Sequence, residues 1–173
     1  MLNDILHTLG AVAVALLLRT FVLSFARIRG TSMMPTLKNG SWAFVWRLPF
    51  RFSPPRRGDV VICRFPGRRM KRFPFLRQTF VKRVIGLPGD TLDLVEGVMY
   101  VNGQPLEEAY LDPARTRFFR LRSRPPVTLG EDAYYLMGDN RDASNDSRAM
   151  GPIRRRDILG RVPCTIFPPR RVR

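Results

Sequence analysis

Apolar residues dominate the chain from Ile5 to Phe25 (ILHTLGAVAVALLLRTFVLSF), with His7 and Arg19 as the only ionisable interruptions. A helix of that length, rising about 1.5 Å per residue, would cross a hydrocarbon core of about 30 Å. Arg19 lies near the far end, where a long side chain reaches the headgroups and its charge is tolerated. The pattern predicts a transmembrane anchor over residues 1–27. A cleaved secretory leader is the alternative, because Ser24-Phe25-Ala26 loosely resembles a small-residue cleavage site. Against it, the leading MLND carries no basic residue, and the apolar stretch outruns the roughly 7–15 residues of a leader's core. Arg19, Arg27 and Arg29 follow the span with nothing basic before it, so the positive-inside tendency favours a cytoplasmic body; long domains translocate largely regardless of that charge.

Beyond the anchor the apolar period changes. Short or alternating apolar runs predict strands over Trp42–Trp46, Asp59–Phe65, Thr79–Ile85, Thr91–Val95, Val98–Val101, Ala133–Met137 and Gly160–Phe167. No run among them makes a convincing helix. Asn102-Gly103, between VMYV and QPL, is the signature of a type I′ hairpin, and Glu96-Gly97 marks a second tight turn. Pro66–Leu76 (PGRRMKRFPFL) and Asp112–Asp132, both rich in arginine and proline, read as surface loops. With no repeat and no second core, the fold class is mostly β. An N-terminal transmembrane helix is expected to precede a coiled antiparallel sheet or small barrel over residues 28–173.

Thirty Lys and Arg against 14 acids give a net charge of +16 on 173 residues, so the surface attracts polyanions, and nucleic acid and anionic lipid both qualify. Composition prunes further through what is scarce. His7 is the single histidine, and it lies in the apolar segment, which excludes a Ser-His-Asp triad, a Cys-His dyad and any zinc site needing histidines. The lysines are Lys38, Lys71 and Lys82 alone; arginine stays charged and cannot serve as a general base. Cys63 and Cys164, far apart and each in a β-like run, read as buried thiols rather than a disulfide.

Three polar motifs interrupt this background. In Arg29-Gly30-Thr31-Ser32-Met33-Met34-Pro35-Thr36-Leu37, Gly30 and Pro35 keep Ser32 out of a regular helix, so it is either a turn residue or an exposed nucleophile. Met34 stands where a GxSxG elbow would need glycine. In Phe80–Asp90 (FVKRVIGLPGD), strand alternation puts Lys82 on the face of Phe80 and Val84, where a core residue belongs. An ordinary lysine is neutral in only about one molecule in 2,500 at pH 7, a deficit of roughly 4.6 kcal/mol for a base. Burial can remove that deficit; the alternative is an edge lysine whose amine reaches solvent. In Met137–Arg148 (MGDNRDASNDSR), short polar groups predict a hydrogen-bonded loop with aspartates paired to arginines. It is no EF-hand, since counting from Asp142 puts Ser147 at the glycine position and Ile153 at the glutamate position.

SMMPTL, KRVIGLPGD and GDNRDASNDSR, in this order behind an N-terminal apolar segment, resemble the type I signal peptidases, over Arg19 to about Phe167. The resemblance implies a single-pass protein of the bacterial cytoplasmic membrane with its catalytic domain on the outer face. It implies a serine endopeptidase that cuts signal peptides from exported preproteins after small residues such as alanine one and three positions before the cut. Ser32 would be the nucleophile and Lys82 the general base, with Ser144 orienting the lysine amine. Asp146 with Arg148, and Arg83 with Asp139, would be supporting pairs. The Ser32 backbone N–H would be an oxyanion donor; one branch of the family has a serine two residues before the nucleophile, where this chain has Gly30, so a side-chain donor is missing there. Ile28, Met33, Leu37, Phe80 and Val81 would line pockets for a substrate added as a strand beside Lys82. The implied partners are signal peptides and membrane lipids, with no nucleic acid, obligate protein partner, cofactor or metal. Trp42, Phe44 and Trp46 suit either a membrane interface or a core.

Two other readings compete. A non-catalytic, membrane-tethered module binding nucleic acid or anionic lipid would explain the charge without explaining Lys82 on an apolar face. A Ser/Lys processing peptidase for a dedicated conjugation or pilin substrate would share the chemistry.

Overall fold

The computed structural model describes residues 2–17, 23–70, 75, 77–116, 118–119 and 123–172. In chain order these form α1 (Leu2–Leu17), β1 (Leu23–Arg27), β2 (Trp42–Trp46), α2 (Pro49–Phe52), β3 (Val60–Arg69), β4 (Arg77–Gly86), β5 (Thr91–Val95), β6 (Val98–Val101), β7 (Gln104–Pro105), β8 (Arg124–Thr128), β9 (Ala133–Met137), α3 (Ser147–Met150), β10 (Ile153–Arg154), β11 (Ile158–Phe167) and β12 (Arg170–Arg171). The fold is mostly β, and every pairing is antiparallel.

The far end of the predicted anchor needs correction. Helix α1 has 16 residues, about 24 Å of rise, and among the described residues no helix is long and apolar enough to cross a membrane. The predicted span ran to Phe25, but Leu23–Arg27 is a strand paired along its whole length with β2, Phe25 opposite Phe44 and Arg27 opposite Trp42. Its backbone is paired with a neighbouring strand, so the sheet takes in residues that the sequence assigns to the anchor. Arg19, Lys71 and Leu76 lie outside the described residues.

An eight-stranded sheet runs β1-β2-β11-β3-β4-β9-β10 with β12 beside β11, and a four-stranded sheet runs β7-β6-β5-β8. Both predicted two-residue turns occur: Glu96-Gly97 (φ 46° and 74°) joins β5 to β6, and Asn102-Gly103 (φ 52° and 78°) joins β6 to β7. Positive φ at both central residues is what a type I′ turn demands. Each predicted loop proves partly strand, because β3 extends to Arg69 and β8 falls inside 112–132. Phe119, 1% exposed, pins that second loop into the core. The short helices α2 and α3 have too few residues to show a period. Cys63 and Cys164 are free thiols, the first buried and the second partly so.

Three apolar clusters build the body. One joins the turn after β1 to β2 and β11 through Ile28, Met33, Leu37, Ala43, Val45 and Val162. The second lies on β3, β4 and β9 around Val61, Cys63, Val84 and Leu136. The third joins the smaller sheet to Ile85, Tyr135 and Met137 of the larger one. Ala43 and Val45 take the core positions of β2, while Trp42 and Trp46 face outward and Phe44 is half-buried. Strand β4 touches all three clusters: Val81 flanks the first, Phe80 and Val84 the second, and Ile85 the third.

Candidate active site

Ser32 occupies the turn after β1, a compact stretch closed by Leu37 N–H donating to the Met33 carbonyl at 2.8 Å. Lys82 sits on β4 opposite Val61, between Phe80 and Val84 on the buried face, and is only 2% exposed. The two side chains, 50 residues apart in sequence, meet with Lys82 Nζ donating to Ser32 Oγ at 2.7 Å. Burial pushes the Lys82 amine below its ordinary value; the Asp146 carboxylate pulls it back, less strongly. The amine also lies over the Phe80 ring, 6.0 Å from its centroid.

The polar loop after β9 holds the serine turn from the other side. Asn140 N–H donates to the Ser32 carbonyl at 3.0 Å, and its side-chain amide donates to the Thr31 carbonyl at 3.1 Å. Thr36 donates to Asp139 at 2.5 Å. Asp139 in turn accepts two hydrogen bonds from Arg83, at 2.8 and 2.7 Å, an ion pair with each side chain 1% exposed. Arg83 also donates to the Gly58 carbonyl at 2.8 Å and stacks 3.8 Å from the Tyr110 ring centroid. Because Arg83 directly follows Lys82 on β4 and points to the opposite face, one strand fixes both the amine and the clamp.

Asp146 is the hub of the loop. Arg148 gives it two hydrogen bonds of 2.8 Å, and Gly138 N–H a third at 2.9 Å. Burial alone would raise this carboxyl, but Arg148, with Ser144 and Gly138, outweighs it and holds Asp146 below its ordinary value. The role expected of Ser144 differs from what the structure gives. Its Oγ is buried and makes no well-formed hydrogen bond to Lys82 among the described residues; its hydroxyl acts on Asp146 instead, helping to hold that carboxyl down.

Gly138 is required by contact. A Cβ there would lie 2.2 Å from Ser144 Oγ and 2.4 Å from the Ser32 carbonyl oxygen, and the second of these is backbone. Gly138→Ala is therefore expected to displace the serine turn and lower kcat/KM at least about tenfold. Circular dichroism melts should show a smaller effect, since only one loop must shift.

A cleft of about 710 Å³ opens over the pair, walled by Ala26–Gly30 on one side and Gln78–Lys82 on the other. Ile28, Met33, Phe80 and Val81 line it as expected, together with Ala26, Ile62, Met70 and Thr79, which the sequence did not single out. Leu37 does not: it is 0% exposed and belongs to the core beneath the serine turn. Gly30 (φ 95°) lines the cleft, but its N–H donates to Asn39 at 3.0 Å, so it presents no donor there. Glu108 and Tyr110 also went unforeseen. Glu108 accepts two hydrogen bonds from buried Arg141, one of 2.9 Å, and Tyr110 covers Arg83. They lie in a segment with neither periodicity nor motif. Asn140 and Thr36 were within quoted motifs, yet nothing in the pattern said that they meet.

The family described as "Signal peptidase, peptidase S26" matches residues 1–167. The chain is 36% identical over 168 residues to "Signal peptidase I" of Leptolyngbya laminosa, covering 96% of this chain and 80% of that one. It belongs to the signal peptidase I family. It is 37% identical over 159 residues to "Probable signal peptidase I-1" of Synechocystis sp., covering 91% of this chain and 78% of that one. A crystal structure of a signal peptidase I from Enterococcus faecalis V583 aligns with TM-score 0.48 and 30% identity, over 64% of this chain and 97% of that one. As a family member this signal peptidase I is a serine endopeptidase acting on the signal peptides of preproteins.

Proposed function

We propose that Ser32 and Lys82 are the reacting groups of this peptidase. The carrying observation is the 2.7 Å contact between Lys82 Nζ and Ser32 Oγ with the amine buried. The neutral amine takes the Ser32 proton as Oγ attacks the scissile carbonyl carbon, and the ammonium then gives that proton to the departing amine. Water attacks the acyl-enzyme next, with Lys82 again accepting the proton, and the ammonium returns it to Ser32 Oγ as the acyl bond breaks, which restores the hydroxyl and the neutral amine. The Ser32 backbone N–H is the oxyanion donor. Asp146–Arg148 and Arg83–Asp139 set the loop and strand that carry the pair. Ser144 shapes the pocket around Gly138.

The substrate joins as an extended strand along Gln78–Lys82, whose edge opposite β3 has no strand partner among the described residues because β9 pairs with β4 only from Arg83 onward. The segment ahead of β1 attaches the protein to the bacterial cytoplasmic membrane, and the chain from β1 onward forms the catalytic domain on its outer face. Phe25, Trp42, Trp46 and Phe167, all exposed, make an aromatic surface that suits lipid headgroups.

The test is an acid quench during turnover of a purified preprotein. Mass spectrometry should find the signal peptide's acyl group on the peptide containing Ser32. An acyl group on another residue, or turnover with none, would overturn the assignment.

A further inference from the structure

Three basic residues line the cleft, Arg27, Arg29 and Lys82, and no acid among the described residues lines it with them. Lys82 is accounted for by the proposed chemistry. Arg27 and Arg29 are not: both are exposed, whereas Ile28 between them is 4% exposed and turned into the core. Among the described residues neither is paired with a carboxylate, although Arg57, Arg77, Arg83, Arg115, Arg141, Arg148 and Arg161 all are. Two unpaired guanidinium groups therefore stand on the wall of a groove that an extended peptide would fill.

The geometry points to Arg27 and Arg29 as specificity-determining residues that favour acidic side chains in the segment of substrate before the cut. The inference rests on the proposed Ser32/Lys82 chemistry, which places the scissile carbonyl beside the two cleft-lining side chains of that pair. An extended peptide advances about 3.3 Å per residue and turns alternate side chains to opposite faces. Residues that face the groove floor meet Ile28, Met33 and Phe80. Those in between face the rim, where Arg29 and Arg27 precede Ser32 by three and five positions; Arg27 ends the extended strand β1, and the chain bends at Gly30 into the serine turn. The rim-facing substrate residues are thus those about two to five before the cut. A carboxylate there gains a partner whose fork of donors matches it, and a lysine there meets like charge. The pairing is solvent-exposed, so it is modest and weakened by salt.

The test uses the full chain in detergent and a set of peptides sharing one cleavage sequence, with Ala, Asp or Lys in turn at each position from two to five before the cut. At low salt at least one position should show kcat/KM about three- to fivefold higher for Asp than for Ala, and lower for Lys. The preference should shrink at about 0.5 M NaCl. Arg27→Gln with Arg29→Gln should bring the Asp-to-Ala ratio close to one, and Arg27→Glu with Arg29→Glu should invert it toward Lys. Equal rates across the set at low salt, or a preference untouched by these substitutions, would overturn the inference while leaving the peptidase chemistry standing. Failure of the wild type to cut any peptide, or a preprotein, would remove both.

Discussion

Replacing Lys82 with methionine is expected to cut kcat/KM for a preprotein by roughly 10²–10⁴-fold or more, while making the protein harder to unfold. The first effect follows from chemistry. Arginine cannot take a proton, and the single histidine of the chain lies in the exposed helix α1, so nothing replaces the lost base. Methionine keeps similar volume and suits the apolar neighbours Phe80 and Val84.

The second effect follows from the lowered amine. In the unfolded chain the lysine keeps its ordinary value of 10.5, so between the lowered folded value and 10.5 the unfolded state binds more protons than the folded state. Stability then rises with pH across that window, and below it the buried amine imposes its full penalty. Methionine removes the penalty, which should lift Tm by about 2–4 °C per kcal/mol recovered. Cys63 works in the opposite sense: its thiol is pushed up by burial from 9.0 to about 12, so its contribution is lost as pH climbs from 9. The lysine effect is therefore read below pH 9, by chemical denaturation of wild type and Lys82→Met. For the wild-type enzyme kcat/KM should climb with pH through the lowered lysine value and then level off. An active Lys82→Met, or a variant less stable than wild type near neutrality, would contradict this account.

Asp139→Ala should destabilise the protein by about 3–5 kcal/mol, because it strands the Arg83 guanidinium in a place 1% exposed. For a chain of this size that is a fall in Tm of roughly 6–20 °C. Activity should drop as well, since Thr36 loses its acceptor and the serine turn loses an anchor. Arg83→Met in the same molecule removes the unpaired charge and should restore much of the stability without restoring the activity. A double variant as unstable as the single would mean that the ion pair's charge is not what matters there.

Much of the site was legible as separate motifs. Lys82 stood out because period-2 alternation placed a cation among apolar residues, and a buried cation has few structural uses. The loop over Met137–Arg148 stood out because short aspartates beside arginines tend to pair, but only the family resemblance singled out Asp146 with Arg148. The strands β2, β5, β6 and β9 were legible to the residue, since local alternation and two-residue turns set their bounds. Leu37 was misjudged because an apolar residue near a nucleophile can face either cleft or core, and sequence spacing does not separate the two. Ser144 was expected to hold the amine, but hydrogen bonding depends on tenths of an ångström that the motif does not encode. The N-terminal stretch was misread past its helix because an apolar run satisfies lipid or a neighbouring strand equally well, and β1 found β2.

The sequence by itself determined the kinds of group available: one serine turn, one lysine on an apolar face, no histidine for a triad, and an excess of arginine. Those are properties of composition and local period, which need no partner to be true. Only the tertiary structure decided that Ser32 lies beside Lys82, that Asn140 and Asp139 clamp the turn, and that Glu108 and Tyr110 brace the arginines behind it. Each of these is a contact across many intervening residues, created when β4 is held between β3 and β9, and a linear pattern carries no record of which distant strand will fill that place.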